Sequence, residues 1–204
     1  MNHFDQVATT WDADTVHWER SQAIASDINK TITLSNEWRV LEYGAGTGIL
    51  SFMLKDAVKE ICMMDSSVEM VKVMQQKVAD TGSESLIPTL FNLEKEEYHG
   101  GRFDLVTTQM VLHHIDNIRP VIDRFYNLLN DGGYVAIADL YTEDGSFHGK
   151  GFTGHNGFDP EEMAQTLTAA GFKNPVYKQC FIMNKPVEGG EMKVFPVFIL
   201  IAGK

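Results

Sequence analysis

Cysteine is nearly absent, with Cys62 and Cys180 the two in 204 residues. Each sits in an apolar run, Ile61-Cys62-Met63-Met64 and Cys180-Phe181-Ile182-Met183. This excludes a disulfide framework. Neither cysteine has metal-ligand spacing, so both read as buried thiols behaving as small hydrophobes. Basic charge is also scarce: 17 Lys and Arg stand against 28 Asp and Glu, a formal net charge of -11. Gripping a nucleic acid backbone takes a cationic surface that displaces counterions, so the balance disfavours nucleic acid and, for the same reason, acidic membrane surfaces. No stretch approaches the roughly 18 apolar residues of a membrane-spanning helix. The start, Met1-Asn2-His3-Phe4-Asp5, lacks the basic and apolar regions of a signal peptide, which makes a cytoplasmic setting the expectation.

What is present fits one substantial core, and the expectation is a single domain over 1–204. Ile24, Ile28 and Ile32 recur at four-residue spacing and predict an amphipathic helix within 18–34. Phe4, Val7, Ala8 and Trp11 precede it, and residues 1–34 together read as an N-terminal helical cap. Short apolar strands then alternate with amphipathic helices. The strands are expected at 40–43, 61–64, 86–91, 103–106 and 134–138, and the helices at 47–58, 67–80 and 117–129, the last stopped by Gly132-Gly133. That alternation predicts an α/β fold, a Rossmann-like three-layer sandwich around a mostly parallel sheet with ligands at the strands' carboxyl ends. Asp159-Pro160-Glu161-Glu162 predicts a further helix start, and Gly171 its end. Strands at 176–183 and 195–202, with no helix between them, should close the fold as an antiparallel hairpin. Residues 141–158, rich in glycine and without periodicity, read as a substrate-side loop.

The sharpest local feature is Leu41-Glu42-Tyr43-Gly44-Ala45-Gly46-Thr47-Gly48 at the end of the first parallel strand. Glycines there let a ligand approach the backbone, and the next helix offers unpaired amides. A phosphate-binding loop would need Gly-Lys-Ser/Thr, which is missing. A dinucleotide fingerprint would need glycine where Ile49 stands. Asp65, just beyond the second strand, suits ribose hydroxyls of either an adenosyl amino acid or NAD; capping the following helix is its plainer role.

Four segments in order resemble the class I S-adenosylmethionine-dependent methyltransferases, particularly the small-molecule branch. They are Glu42-Tyr43-Gly44-Ala45-Gly46-Thr47-Gly48, Met64-Asp65-Ser66-Ser67-Val68-Glu69-Met70, Phe103-Asp104-Leu105-Val106 and Leu128-Leu129-Asn130-Asp131-Gly132-Gly133. The resemblance implies a seven-stranded sheet whose last strand is antiparallel. It also implies S-adenosyl-L-methionine as cofactor, with S-adenosyl-L-homocysteine as product. Glu42 and the backbone of Gly44, Ala45, Gly46 and Gly48 would then meet the methionine end. Asp65 would take the ribose, Met64 and Ser66 would border the adenosine, Asn92 and Leu93 would lie near the adenine, and Gln109 would line the methionine side.

A sulfonium methyl is already activated, so no metal is expected. The protein must align a nucleophile, exclude water and, for an oxygen or nitrogen acceptor, accept a proton. The candidate catalytic residues are His114, beyond the fourth strand, and His148 and His155 in the glycine-rich loop, while His113 reads as structural. Asp139 either orients such a group or caps a strand end. The expected partner is a small organic acceptor, with Phe147, Phe152 and Phe158 favouring an apolar one. Protein or RNA methylation, nicotinamide-dependent oxidoreduction and noncatalytic cofactor binding stay open as alternatives, as do the acceptor atom and a homo-oligomeric state.

Overall fold

The computed structural model describes residues 3–204; Met1 and Asn2, at the start of the expected cap, lie outside the described residues. The chain runs through α1 (His3–Val7), a 3₁₀ turn (Ala8–Ala13), α2 (Thr15–Thr31), β1 (Arg39–Tyr43), α3 (Ile49–Leu54), β2 (Glu60–Asp65), α4 (Val68–Thr81) and β3 (Leu86–Leu90). It continues with β4 (Phe103–Gln109), a 3₁₀ turn (Leu112–His114), α5 (Ile118–Leu128), β5 (Leu129–Leu140), α6 (Pro160–Ala169), β6 (Lys173–Pro186) and β7 (Met192–Gly203).

The helices begin where short polar side chains can satisfy the orphan amides of a first turn. Asp14 accepts from Val16 N, Ser67 from Met70 N, Asn117 from Arg119 N, and Asp159 from both Glu161 N and Glu162 N ahead of Pro160. Caps of this kind contribute about 1 kcal/mol each. Among the described residues the sheet has seven strands, in the order β3-β2-β1-β4-β5-β7-β6. The first five are parallel, while β5–β7 and β6–β7 pair antiparallel. The seven strands and the closing hairpin agree with expectation.

Side-chain alternation along the strands builds two cores. Val40, Ile61, Met63 and Leu105 join Ile24 and Ile28 of α2, Leu50 and Leu54 of α3, and Val71 and Met74 of α4. Leu41, Tyr43, Cys62, Met64 and Val106 face Ile122 and Phe125 of α5 and Met163 and Leu167 of α6. Burial on both faces accounts for the near-continuous apolar strands. It also raises both thiols, Cys180 to about 12, so neither is a ready nucleophile even though Cys180 is only half-buried.

The boundary between α5 and β5 differs from the reading of the sequence. Gly132-Gly133 do not stop α5, because Leu129 is already extended (φ -81°, ψ 143°) and pairs with Phe103 of β4. The glycines instead form a bulge, where the register jumps between Phe103 and Leu105. Gly132 takes φ +82°, and a Cβ at Gly133 would sit 2.9 Å from the Asp104 carbonyl oxygen. Pairing with β4 thus captures the chain before the glycines are reached. No described helix is long and apolar enough to cross a membrane.

Strand β1 pairs with β2 on one side and β4 on the other, so the chain winds outward in both directions from it. Such a reversal opens a crevice at the carboxyl ends of β1 and β4.

Candidate active site

β1 ends in a loop with three left-handed glycines, Gly44, Gly46 and Gly48, at φ +68°, +59° and +82°. A side chain at Gly44 would collide with Val111, and one at Gly48 would sit 2.8 Å from Met63 Sδ. Gly46 alone faces open space, with Trp11 Nε1 3.9 Å from where its Cβ would be. The loop is therefore tightly seated on one side and open on the other. Bare main chain is the surface it presents there.

Glu42 precedes the loop and is completely buried. Its side chain alternates away from Leu41 and Tyr43 and so points to the first turn of α3, where one carboxylate oxygen accepts from both the amide (3.0 Å) and the hydroxyl of Ser51. The other accepts from Gln109 Nε2 at 3.4 Å, and Ser21 Oγ donates to Gln109 Oε1 at 3.1 Å. Desolvation pushes the Glu42 carboxyl up to about 7 despite these bonds, and the charge of nearby Asp65 adds to the rise. Among the described residues Glu42 has no ion-pair partner, and a buried acid in that state is what an incoming ammonium group would compensate.

Asp65 ties the second strand to the loop. One oxygen accepts from Gly46 N (2.8 Å) and the other from Ser67 N (2.8 Å). Burial raises its pKa, with these amide bonds opposing. The helix cap proper is Ser67, which leaves the carboxylate's remaining lone pairs open to a ligand. Ala45 donates to the Met64 carbonyl at 3.0 Å. The Met64 side chain itself is buried with Leu41, Tyr43, Cys62 and Leu93, whereas Ser66 is exposed at the mouth. Asn92 Oδ1, expected to meet an adenine amino group, accepts from Glu94 N at 2.7 Å in a local turn. Leu93 is fully buried and its carbonyl takes a hydrogen bond from Arg124.

The segment before α2 lies across this cradle. Asp12 accepts from Thr47 Oγ1 and forms an ion pair with Lys77 at 2.7 Å; Lys77 Nζ also donates to the Thr47 carbonyl at 2.9 Å. Ser67 Oγ donates to Asp5 at 2.6 Å. Trp11 stacks on His17, ring centroids 4.0 Å apart. Nothing in the sequence pairs Asp12 with Lys77 or Ser51 with Glu42; these partners were missed because they meet only when the leader and α3 fold onto β1.

The opposite wall is built from β4, β5 and residues 141–158. The 3₁₀ turn after β4 carries His113 and His114. His113 is buried, its Nδ1 2.6 Å from Asp139 Oδ1, and its amide reaches Asp139 Oδ2 at 3.3 Å. Asp139, completely buried at the end of β5, thus orients a histidine. The loop folds back through the bridge between Tyr141 and Phe158, and Lys185 and Lys193 of the hairpin hold it at Phe147 and Asp144. It brings His148 in, with ring centroids 5.1 Å from His113 and 4.9 Å from His114. Phe152 stacks on His148 at 3.9 Å, and Phe4 meets His114 edge-on at 5.1 Å.

Of the three candidate catalytic histidines, the fold therefore brings His114 and His148 together, joined by His113. His155 is placed elsewhere, its Nε2 2.9 Å from the Ile115 carbonyl and 3.2 Å from that of Asp116. It lines a separate surface cleft of about 290 Å³ with Ile118, Phe158 and Glu162.

The cradle fits the adenosyl amino acid implied by the sequence: an uncompensated buried carboxylate for an ammonium, a carboxylate at the second strand for vicinal hydroxyls, and glycine backbone where a side chain would intrude. Comparison with known proteins agrees. A family model described as a methyltransferase domain matches residues 16–175. An uncharacterized methyltransferase of Schizosaccharomyces pombe is 24% identical over 191 residues, covering 83% of this chain and 67% of that protein. The crystal structure of Bacillus subtilis YcgJ superposes with a TM-score of 0.71 at 19% identity, over 88% of this chain and 97% of that one. In the sequence match to YcgJ this chain spans 46% of that protein's length. A complex of the Haloferax volcanii Trm112 methyltransferase activator with its assigned methyltransferase gives 0.76 at 14% identity, over 100% of this chain and 98% of that one. With 16–175 matched as one family domain on a fold whose first strand ends in this cradle, the chain belongs to the class I S-adenosylmethionine-dependent methyltransferases.

Proposed function

We propose that this enzyme methylates a small organic acceptor bound between the glycine loop and the histidine wall. One observation carries the reading: the crevice is covered from two sides, by the leader anchored at Thr47, Ser67 and Lys77 and by the loop that packs Phe152 and His148 against His114. A covered, partly aromatic site suits a compact acceptor better than a polymer, and the net charge of -11 argues in the same direction against RNA.

When bound, the donor supplies an activated methyl group and leaves as S-adenosyl-L-homocysteine. Within this reading the chain's residues divide the remaining work. Glu42 and the glycine-loop backbone hold the amino acid end, with Gln109 and Ser21 fixing the orientation of Glu42. Asp65 holds the ribose, and Ser66 stands at the mouth beside it. Phe4, Phe147 and Phe152 keep water from the acceptor side. His114 and His148 contact the acceptor. His155 stays outside this set because its Nε2 hydrogen is held by main-chain carbonyls.

The experiment is incubation with isotopically labelled methyl donor and a fractionated cell extract, followed by mass spectrometry. Label is expected in the small-molecule fraction; label confined to protein or RNA overturns the reading. The match over the whole chain to a methyltransferase complexed with the Trm112 activator favours one alternative, a macromolecular acceptor reached with an accessory subunit. The macromolecular fractions test it directly.

A further inference from the structure

Three imidazoles from two separate segments converge beside the cleft. His113, His114 and His148 each offer one ring nitrogen, and these nitrogens all lie within 4.8 Å of one another. Nitrogens bound tetrahedrally at about 2.0–2.1 Å from an ion stand roughly 3.4 Å apart. Binding would draw the exposed His148 and half-buried His114 inward toward the buried His113.

Two further observations point to a ligand. Nε2 of His113 is buried and has no hydrogen-bond partner among the described residues. The same ring is held through Nδ1 by Asp139 at 2.6 Å, and Asp139 is itself pinned by the amides of His113 and Leu140. A carboxylate behind one nitrogen fixes the tautomer, makes the other nitrogen the lone-pair donor and raises its basicity, which is how histidines are prepared for metal binding. Nδ1 therefore carries the hydrogen toward Asp139, and Nε2 is left as an unused acceptor.

We propose that His113, His114 and His148 bind one divalent transition-metal ion of the zinc class, with Asp139 orienting His113 from behind. Three neutral imidazoles are a borderline donor set, which selects Zn²⁺ and its first-row neighbours over Mg²⁺ or Ca²⁺, ions that prefer oxygen. Three protein ligands leave a coordination position for water or for an anionic oxygen or sulfur, as in open rather than closed zinc sites. The ring stack of Phe152 on His148 and the edge of Phe4 on His114 form an apolar collar around the ion. With the ion bound, His114 and His148 act as ligands, and the ion rather than an imidazole base favours the anionic form of an acceptor at the open position. The metal site stands on the histidines alone; its use on an acceptor rests on the function proposed above.

The test measures metal directly. The full chain, without an affinity tag, is titrated with Zn²⁺ by calorimetry, and its metal content is measured after free ion is removed. Co²⁺ loading is followed by visible absorption, which is intense for tetrahedral coordination. One ion per chain with a tetrahedral Co²⁺ spectrum is expected. His148→Ala, at an exposed position, should weaken binding by at least about a hundredfold, and Asp139→Asn by about 10–100-fold. His155→Ala on the same loop should leave binding unchanged. Circular dichroism checks that each variant is folded, and if Asp139→Asn is not, His148→Ala and His114→Gln decide. No saturable binding by the wild type, or wild-type binding kept by both His148→Ala and His114→Gln, overturns the proposal. Because the readout is metal content, failure here leaves the labelling result standing, and the reverse also holds.

Discussion

The two walls of the cleft are finished differently. On the glycine-loop side, each oxygen of Glu42 and Asp65 already has a donor within the protein, from Ser51, Gln109, Gly46 and Ser67. On the histidine side, Nε2 of His113 is buried without a partner among the described residues, although its carboxylate support is in place. Leaving a buried polar group unpaired costs about 1–3 kcal/mol. The first wall is thus preorganised by its own hydrogen bonds and would lose little on meeting its ligand. The second is held by Asp139 and, in the proposal above, is completed when the ion binds.

Substitutions and pH can break that contrast. The largest effect is expected from Asp65→Ala, which removes the proposed ribose acceptor and the tie to Gly46 together. Donor affinity should fall roughly a hundredfold, about 2.7 kcal/mol, in calorimetry, while metal binding by the histidines is untouched. Loss of both would mean that the walls are not independent.

Gly44→Ala comes next. It forces a Cβ into a left-handed position against Val111 and should destabilise the fold by about 2 kcal/mol, read from chemical denaturation. Adding Val111→Ala should recover the part due to the collision and none due to φ.

The Glu42 carboxyl gives a pH test. Its folded pKa is raised to about 7 from an ordinary 4.5, so the folded chain takes up a proton that the unfolded chain releases. The associated stability is fully present below about 4.5 and is lost as pH rises to about 7. An ammonium-bearing donor prefers the ionised form, so donor affinity should rise roughly tenfold between pH 6 and pH 8 and then level off. Protons should be released on binding near pH 6.5. Glu42→Gln should flatten the profile, and a profile that keeps its slope in that variant assigns the titration to another group.

The smallest effect concerns the leader. Trp11→Ala should weaken donor binding about threefold, roughly 0.7 kcal/mol, with little change in unfolding midpoint. A lowered midpoint with unchanged affinity would make the leader an anchor rather than a cover.

Much of the first wall was legible in the chain because its parts are local. The left-handed glycines follow a strand directly, Asp65 ends the next strand, and the alternation of β1 alone sends Glu42 away from Leu41 and Tyr43. Gln109 likewise ends β4 and falls beside Glu42. At the boundary between α5 and β5, longer-range packing overrode the local signal. Pairing with β4 captured Leu129 before Gly132-Gly133 could stop the helix.

The sequence by itself therefore determined the alternating strands and helices, the parallel order with its closing hairpin and the glycine cradle, since each follows from side-chain periodicity or from backbone freedom at one position. Only the tertiary structure decided which histidines meet. His113 and His114 are neighbours on a 3₁₀ turn, and His148 joins them because residues 141–158 fold back across the ends of β4 and β5. No periodicity encodes a contact made by a long loop. His113 became the centre of that wall for a similar reason: its partner Asp139 arrives on a strand that lies beside β4 only once the sheet has formed.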